Sequence, residues 1–241
     1  MMGRLIKAEF MKLYKSFGLK ILLLCAVSSG ILVGLMFAFI FEGGFGEATG
    51  LTFFINGITG ETEVASAFAG VFVAIFVGSE FVRGTFGISI ARGCSRNQLI
   101  LAKAVVFLVA LPFVLLASPI TSTISATLAN GFGDFDTLHL LRTIGLLVLT
   151  HWAMGGICIL LAVSIKNVGG IIGASVAILA FLIPILARLP GLESMARFLY
   201  PYHIARITEP QSIAFLVAVC IATLGISLTG AVMVFKRAEL K

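Results

Sequence analysis

Charged side chains are scarce in this sequence. Asp, Glu, Lys and Arg make up 12% of its 241 residues, whereas a soluble domain carries about 25%. Hydrophobic residues account for 59% of the chain, and the mean hydropathy is +1.12. This composition excludes an ordinary soluble domain and predicts an all-α integral membrane protein.

Motifs for nucleotides, metals and disulfides are also missing. No GxxxxGK[ST] segment is present to hold ATP phosphates, and neither HExxH nor a His/Cys cluster is present to hold a metal. The four cysteines form no CxxC pair, so reduced thiols are expected. We therefore expect no cofactor bound by this chain, no catalytic residue, no enzyme activity of its own and no nucleic-acid partner.

Six long apolar runs are what the sequence does contain. Each is long enough, at 1.5 Å per residue, to cross a hydrocarbon core about 30 Å thick. Together they predict one transmembrane domain that occupies residues 1–241. The predicted spans are 21–41, 64–82, 104–130, 140–165, 168–187 and 213–235.

Residues 4–20 precede the first span and are amphipathic. Four apolar residues share one helical face and three basic residues lie away from it, which predicts a helix in the membrane interface beside anionic headgroups. The alternative is a basic flank that only orients the first span. The apolar residues are Ile6, Phe10, Leu13 and Phe17, and the basic ones are Arg4, Lys12 and Lys15.

Lys and Arg are distributed unevenly between the two sides. Thirteen of the 17 lie in the N-terminal segment, the second and fourth loops and the C-terminal segment. The first external loop, 42–63, has none. The positive-inside rule then predicts that both termini and the loop Glu80–Lys103 lie in the cytosol. The protein is expected in the plasma membrane.

The loop between the second and third spans, Glu80–Lys103, is called the basic loop below. Gly84-Thr85 can end one helix and begin another, because Gly suits the left-handed position and Thr suits a cap. Ser95, with Gln98 three residues later, forms a capping box that predicts the start of a long helix. A short helix is therefore expected over Thr85–Arg92. The charged residues of the loop are Glu80, Arg83, Arg92, Arg96 and Lys103.

The third span combines Pro112 and Pro119 with a hydroxyl-rich outer half. These hydroxyls either form a polar wall of a substrate path or satisfy carbonyls freed by proline, and the sequence leaves both open. His151 in the fourth span is a second candidate for the path, although a neighbouring hydroxyl would also suffice as its partner. The hydroxyl residues are Thr121, Ser122, Thr123, Ser125 and Thr127.

Small residues recur in several spans. The pairs at 30 and 34 and at 169 and 173 allow close helix approach, more often within a chain than between chains. The segment 173–177 matches the GxSx[GA] of rhomboid-type proteases, but no histidine base is expected at the same depth on the last span. Helix packing is therefore the preferred interpretation. A short external helix is expected within 188–212, near Tyr200 and Tyr202.

The order of these features resembles the membrane subunit of type-two ATP-binding-cassette (ABC) exporters. The resemblance rests on the amphipathic N-terminal segment, the six spans, the pattern EFxxGT in the basic loop, and the later Ser-Arg and Lys. One departure is Gly93-Cys94, where many relatives have Pro before the Ser-Arg pair. The residues matched to coupling are Glu80, Arg83, Gly84, Thr85, Arg92, Ser95, Arg96 and Lys103.

The resemblance implies partners and a direction of transport. Two permease subunits, identical or related, would pair with two copies of a separate ATPase that binds ATP and Mg²⁺, and the short helix would sit in a cleft of each ATPase. Glu80 is expected to pair with Arg83 or with the N-terminal helix. Amphipathic peptides of the toxin, bacteriocin or lantibiotic type, or small hydrophobic drugs, are the expected cargo. The alternative hypotheses are an ATP-independent secondary transporter or channel, and a structural membrane anchor.

Overall fold

The computed structural model describes residues 2–40, 49–60, 62–134, 136–189 and 213–238. Within these ranges every regular element is helical, and two of the helices contain π-helical segments, Ala74–Gly78 and Val176–Leu182. The α-helices are α1 (Met2–Lys15), α2 (Phe17–Ile40), α3 (Gly50–Gly60), α4 (Thr62–Val73), α5 (Ser79–Val82), α6 (Thr85–Ala91), α7 (Arg96–Leu115), α8 (Ala117–Asn130), α9 (Thr137–Ile165), α10 (Val168–Ser175), α11 (Ile183–Arg188) and α12 (Ile213–Arg237).

Six of the described helical stretches are long and apolar enough to cross a membrane. The sequence prediction of an all-α, six-span membrane protein is thereby confirmed at this level. The stretches are Phe17–Met36, Val64–Val82, Arg96–Leu128, Thr137–Ile165, Val168–Leu186 and Ile213–Arg237.

The single helix predicted over 4–20 is wrong in its extent, because the helix is interrupted at Ser16. Helix α1 ends at Lys15 and α2 begins at Phe17. The Ser16 hydroxyl accepts a hydrogen bond from the Leu19 N–H at 3.5 Å, as an N-cap does. Phe17 and Lys20 therefore belong to the first spanning helix.

The helix of the third span starts at Arg96, directly after Ser95, as the capping box predicts. It therefore begins two turns before the predicted span boundary at residue 104. The helix is interrupted at Leu116, between Pro112 and Pro119, where α7 passes into α8. Proline lacks the N–H that would continue the ladder, so a break is expected here.

Helix α3 is an element that the sequence interpretation missed, since residues 42–63 were treated as a loop. The N–H groups of Gly50 and Leu51 donate to the carbonyls of Gly131 and Phe132, at 3.0 and 2.9 Å. The loop after α8 thereby satisfies two of the donors at the first turn of α3. This helix covers the end of α8 and is too short to span a bilayer.

Glycine positions the helices around α9. A Cβ on Gly155 would lie 2.7 Å from a Leu111 methyl of α7, and one on Gly156 would lie 3.1 Å from a Leu224 methyl of α12.

A Cβ on Gly30 would overlap the Thr121 hydroxyl and the Ser118 carbonyl of α8. The pair at 30 and 34 therefore packs within the chain.

Two sequence predictions remain outside this packing. Nothing lies within 4 Å of a Cβ placed on Gly173, so this glycine faces away from the described helices. The external helix predicted within 188–212 lies outside the described residues beyond position 189.

Candidate functional site

The basic loop contains the short helix that its glycines predict. Helix α6 covers Thr85–Ala91, one residue shorter than expected. Gly84 at φ +66° precedes it and Gly93 at φ +90° follows it. Both glycines have left-handed backbone conformations, which residues with a side chain rarely adopt. These two glycines therefore fix the ends of α6.

The caps of this loop agree with the prediction at one end only. The Ser95 hydroxyl accepts from the Gln98 N–H at 3.3 Å and caps α7 as predicted. Thr85 was predicted to cap α6, but Gly84 occupies that position. The Thr85 hydroxyl instead donates to the Glu80 carbonyl at 3.4 Å, which ties the start of α6 to α5.

Three aromatic rings fix the inner side of α6. Phe86 is 1% exposed, and its ring centroid lies 4.6 Å from that of Phe81 and 5.1 Å from that of Phe235. Phe81 and Phe235 are themselves 5.9 Å apart. Aromatic pairs at such distances add about 0.5–1.5 kcal/mol each to their burial. The short helix is thus anchored to the end of the second span and to the last span.

A cluster of four charged residues lies beside this aromatic group, and we call it the charge cluster. The Nζ atom of Lys103 lies 2.6 Å from a Glu9 carboxylate oxygen and 2.9 Å from one of Glu80. Lys12 Nζ lies 2.6 Å from Glu9 and 3.5 Å from Glu80. Glu80 therefore pairs with the N-terminal helix, as one of the two sequence alternatives stated, and it also pairs with Lys103. The cluster joins α1, the second span and the third span.

Two side chains of the charge cluster are almost completely buried, so their charges are stable only when they are paired. The side chains of Lys103 and Glu9 are 0% and 1% exposed, and the Lys103 ammonium also lies 4.5 Å from the Phe76 ring centroid. Burial alone would raise the pKa of Glu9, but the charges and hydrogen bonds of Lys103 and Lys12 lower it overall. For Lys12, burial opposes the charged form, but Glu9 and Glu80 raise its pKa overall. Both groups are held in their charged forms.

We expect the stabilisation by Glu9 to disappear in acid. A carboxyl whose pKa is lowered in the folded state stabilises it above the ordinary value, and this contribution is lost as pH falls through the lowered pKa. The thermal midpoint of the wild type should exceed that of Glu9→Gln by a constant margin above about pH 5, because an ordinary Glu has a pKa of about 4.3. The margin should shrink below that pH. A constant margin down to pH 3 would contradict the assignment.

Arg96 lies against the end of the last span. Its guanidinium donates to the carbonyls of Lys236 and Ala238, at 3.0 and 2.6 Å, and lies 3.5 Å from that of Phe235. These carbonyls lie at the end of α12 and just after it, where no further helical N–H is available. A cation there also complements the helix dipole. Arg96 thus connects the basic loop to the last span, and its role in coupling stays a prediction.

The outer side of the basic loop exposes both cationic and apolar side chains. Arg83 and Arg92 are exposed. The apolar side chains of Val82 and Ile88 are also exposed, at 67% and 51%. The loop therefore presents two cations and two apolar side chains outward, while Phe86 holds it from within.

The hydroxyl groups of α8 donate to carbonyls of their own helix. Thr121 donates to Ala117 at 2.9 Å, Thr123 to Pro119 at 2.6 Å, and Ser125 to Thr121 at 3.0 Å. Thr121 and Ser125 lie against Gly30 and Gly34 of α2, respectively. This geometry favours backbone satisfaction and packing over a polar wall, and their role in a substrate path stays a prediction.

The carbonyl freed by Pro112 has a partner on another helix. Because Pro112 has no N–H, the carbonyl of Leu108 loses its helical donor. The indole N–H of Trp152 donates to it at 2.9 Å. The hydrogen bond that Pro112 cannot make is thus replaced by one from α9.

His151 is buried on the same helix. It is 5% exposed, and its Nδ1 atom has no hydrogen-bond partner among the described residues. The neighbouring hydroxyl that the sequence suggested as its partner is not found there. Ser175 of the GxSx[GA] match is also buried, and its hydroxyl has no partner in the described part of the chain, so no base contacts it.

Sequence reasoning missed Glu9, Lys12, Phe86 and Phe235 as members of this site. For Glu9 a signal existed, since it is the one acidic residue in α1 and lies four residues before the apolar Leu13. An acid on the packing face of a basic helix indicates a buried cationic partner. For Phe86 and Phe235 no such signal distinguishes them from the other 19 phenylalanines.

The fold and site together indicate a multi-pass helical membrane protein in which side-chain contacts join α1, the basic loop and the second, third and last spans. The sequence matches no protein-family model, and no curated protein is similar to it at a significant level.

Proposed function

We propose that this chain is the membrane-spanning permease subunit of an ATP-driven ABC exporter. A separate cassette ATPase, present in two copies, docks on the basic loop and binds the ATP and Mg²⁺. A second permease copy, or a related permease, completes the complex in the plasma membrane. Both termini lie in the cytosol with the loop.

The construction of α6 is the observation that carries this proposal. A two-turn helix has both ends set by left-handed glycines, an inner side anchored by Phe86 and an outer side with Arg83 and Arg92 exposed. Such a helix transmits force, because it cannot slide or unwind without breaking the aromatic and charge contacts beneath it. Its outer side suits a groove with an apolar floor and acidic rims.

The contacts of α6 also give the path of the force. Movement of α6 would reach the last span through Phe235 and Arg96, and the third span and α1 through the charge cluster. A loop that only orients the spans by its positive charge needs none of these contacts. The charge bias explains the Arg and Lys residues but not the glycine caps or the Glu80 carboxylate that pairs with Lys103.

We expect Arg83→Glu/Arg92→Glu to abolish docking. Reversing both exposed cations replaces attraction to acidic rims by repulsion, which costs several kcal/mol at an interface. The measurement is co-purification of the detergent-solubilised chain with its co-expressed ATPase, followed by export from cells. Lys166→Glu is the matched control, since it reverses a cation of the other loop predicted to be cytosolic.

Retained docking in the double variant, or equal loss in the control, would overturn the proposed site. A wild-type chain that associates with no cassette ATPase would overturn the function itself. The cargo, proposed as amphipathic peptides or small hydrophobic drugs, is identified by comparing export of radiolabelled members of each class.

The second candidate is an ATP-independent transporter or channel, and one observation favours it. His151 is buried in the fourth span, and its Nδ1 atom has no partner in the described part of the chain, as at an ion or proton site. This candidate predicts flux through liposomes that contain the chain alone, and loss of that flux in His151→Leu.

A further inference from the structure

Helix α1 has three sides. Glu9 and Leu13 are buried against the rest of the protein. The next side carries Phe10 and Tyr14, which are 36% and 80% exposed. The sequence prediction placed Phe10 and Leu13 on one apolar face, but the structure separates them into a packed side and an exposed side.

The third side of α1 is basic and contains no acid. Positions 4, 7, 11 and 15 follow one another at helical spacing and form a single stripe. Arg4, Lys7 and Lys15 occupy three of them and are exposed, with Met11 between them. Glu9, the acidic residue of α1, forms its ion pairs with Lys103 and Lys12 rather than with these cations.

The position of α1 identifies the occupant of this stripe. One residue separates α1 from α2, which is a spanning helix. We therefore expect helix α1 at the membrane surface, where exposed Tyr and Phe side chains are stable at headgroup depth. A row of cations beside them complements anionic headgroups, each cation contributing about 1 kcal/mol near such a surface.

We propose that the stripe of Arg4, Lys7 and Lys15 binds anionic phospholipid headgroups, and that this binding stabilises the junction beneath α6. The link is the charge cluster: the inner side of α1 holds Lys103 through Glu9, and Lys103 holds Glu80 at the entry to the basic loop. The lipid binding stands without the proposed function, whereas its effect on ATPase coupling depends on that function.

The test uses the full chain in micelles of a neutral detergent, titrated with phosphatidylglycerol or phosphatidylcholine. Bound lipid is measured by mass spectrometry, and the thermal midpoint is measured on the same samples. The wild type should retain phosphatidylglycerol selectively and gain thermal stability from it, and both effects should weaken in 0.5 M salt because of screening.

Arg4→Gln/Lys7→Gln/Lys15→Gln should weaken phosphatidylglycerol binding on the order of a hundredfold, given about 1 kcal/mol per cation. The matched control removes three cations elsewhere on the side predicted to be cytosolic: Arg92→Gln/Lys166→Gln/Lys236→Gln. It should bind the lipid as the wild type does. Equal loss in the control, or equal binding of the two lipids by the wild type, overturns the site.

Glu9→Gln tests the link to the junction. This variant leaves the stripe intact and should still bind phosphatidylglycerol, but the thermal gain should be largely lost because α1 no longer holds Lys103. A full thermal gain in Glu9→Gln would overturn the link. None of these measurements involves an ATPase or transport, so their failure is distinguishable from failure of the proposed function.

Discussion

Replacing Lys103 with Met is expected to destabilise the protein by about 3–5 kcal/mol, the cost of removing one partner of a buried ion pair. Lys103 is fully buried and bridges Glu9 and Glu80. Without it, the Glu9 carboxylate keeps, among the described residues, only the half-exposed Lys12 as a counter-charge. The measurement is thermal or denaturant unfolding in detergent. Lys15→Met is the matched control, because Lys15 is exposed on α1.

A double variant separates loss of charge from loss of packing. Glu9→Gln/Lys103→Met removes the buried anion together with the cation, and should be more stable than Lys103→Met alone. Replacing both members of a buried pair is often neutral, whereas removing one strands a charge. A double variant less stable than Lys103→Met would refute the charge argument and leave packing as the cause.

Gly30→Ala is expected to have the second large effect. A Cβ at this position would overlap the Ser118 carbonyl and the Thr121 hydroxyl of α8. The backbone atom cannot turn aside, so α2 and α8 must separate, at a cost of about 1–3 kcal/mol for an overpacked site. The unfolding midpoint measures this cost.

Gly173→Ala is the matched control for this substitution, because no neighbouring residue that the structure describes lies within 4 Å of a Cβ placed there. Ala exceeds Gly in helix propensity by about 1 kcal/mol, so this variant should be unchanged or slightly more stable. The two substitutions should thus differ in sign, although both replace a glycine of a small-residue pair in a span. An equal effect of both would show that propensity, and not helix contact, decides.

The spans and the ends of α6 could be predicted because local chemistry determines them. Apolar length defines a span, and Gly84, Gly93 and Ser95 act within a few residues of themselves. The six spans and the short helix are accordingly found close to where the sequence placed them. Thr85 is the exception: Gly84 took the capping position because only glycine suits its left-handed backbone.

The contacts that make the loop rigid could not be predicted in the same way. The Glu9–Lys103 pair joins residues 94 positions apart, and the Arg96–Ala238 contact joins residues 142 apart. Nothing within the local sequence of Arg96 shows that it will cap another helix rather than face a partner. Glu80 came closest to prediction, because an acid at a membrane boundary requires a counter-charge.

The bond between Trp152 and the Leu108 carbonyl has a spectroscopic consequence. The chain has a single tryptophan, so all indole emission arises from the contact with the Leu108 carbonyl, one turn before Pro112. The emission wavelength of indole depends on its N–H partner and on nearby water. The unlabelled protein therefore contains an intrinsic fluorophore at this point, and its emission wavelength would report any change in the third span that alters this contact.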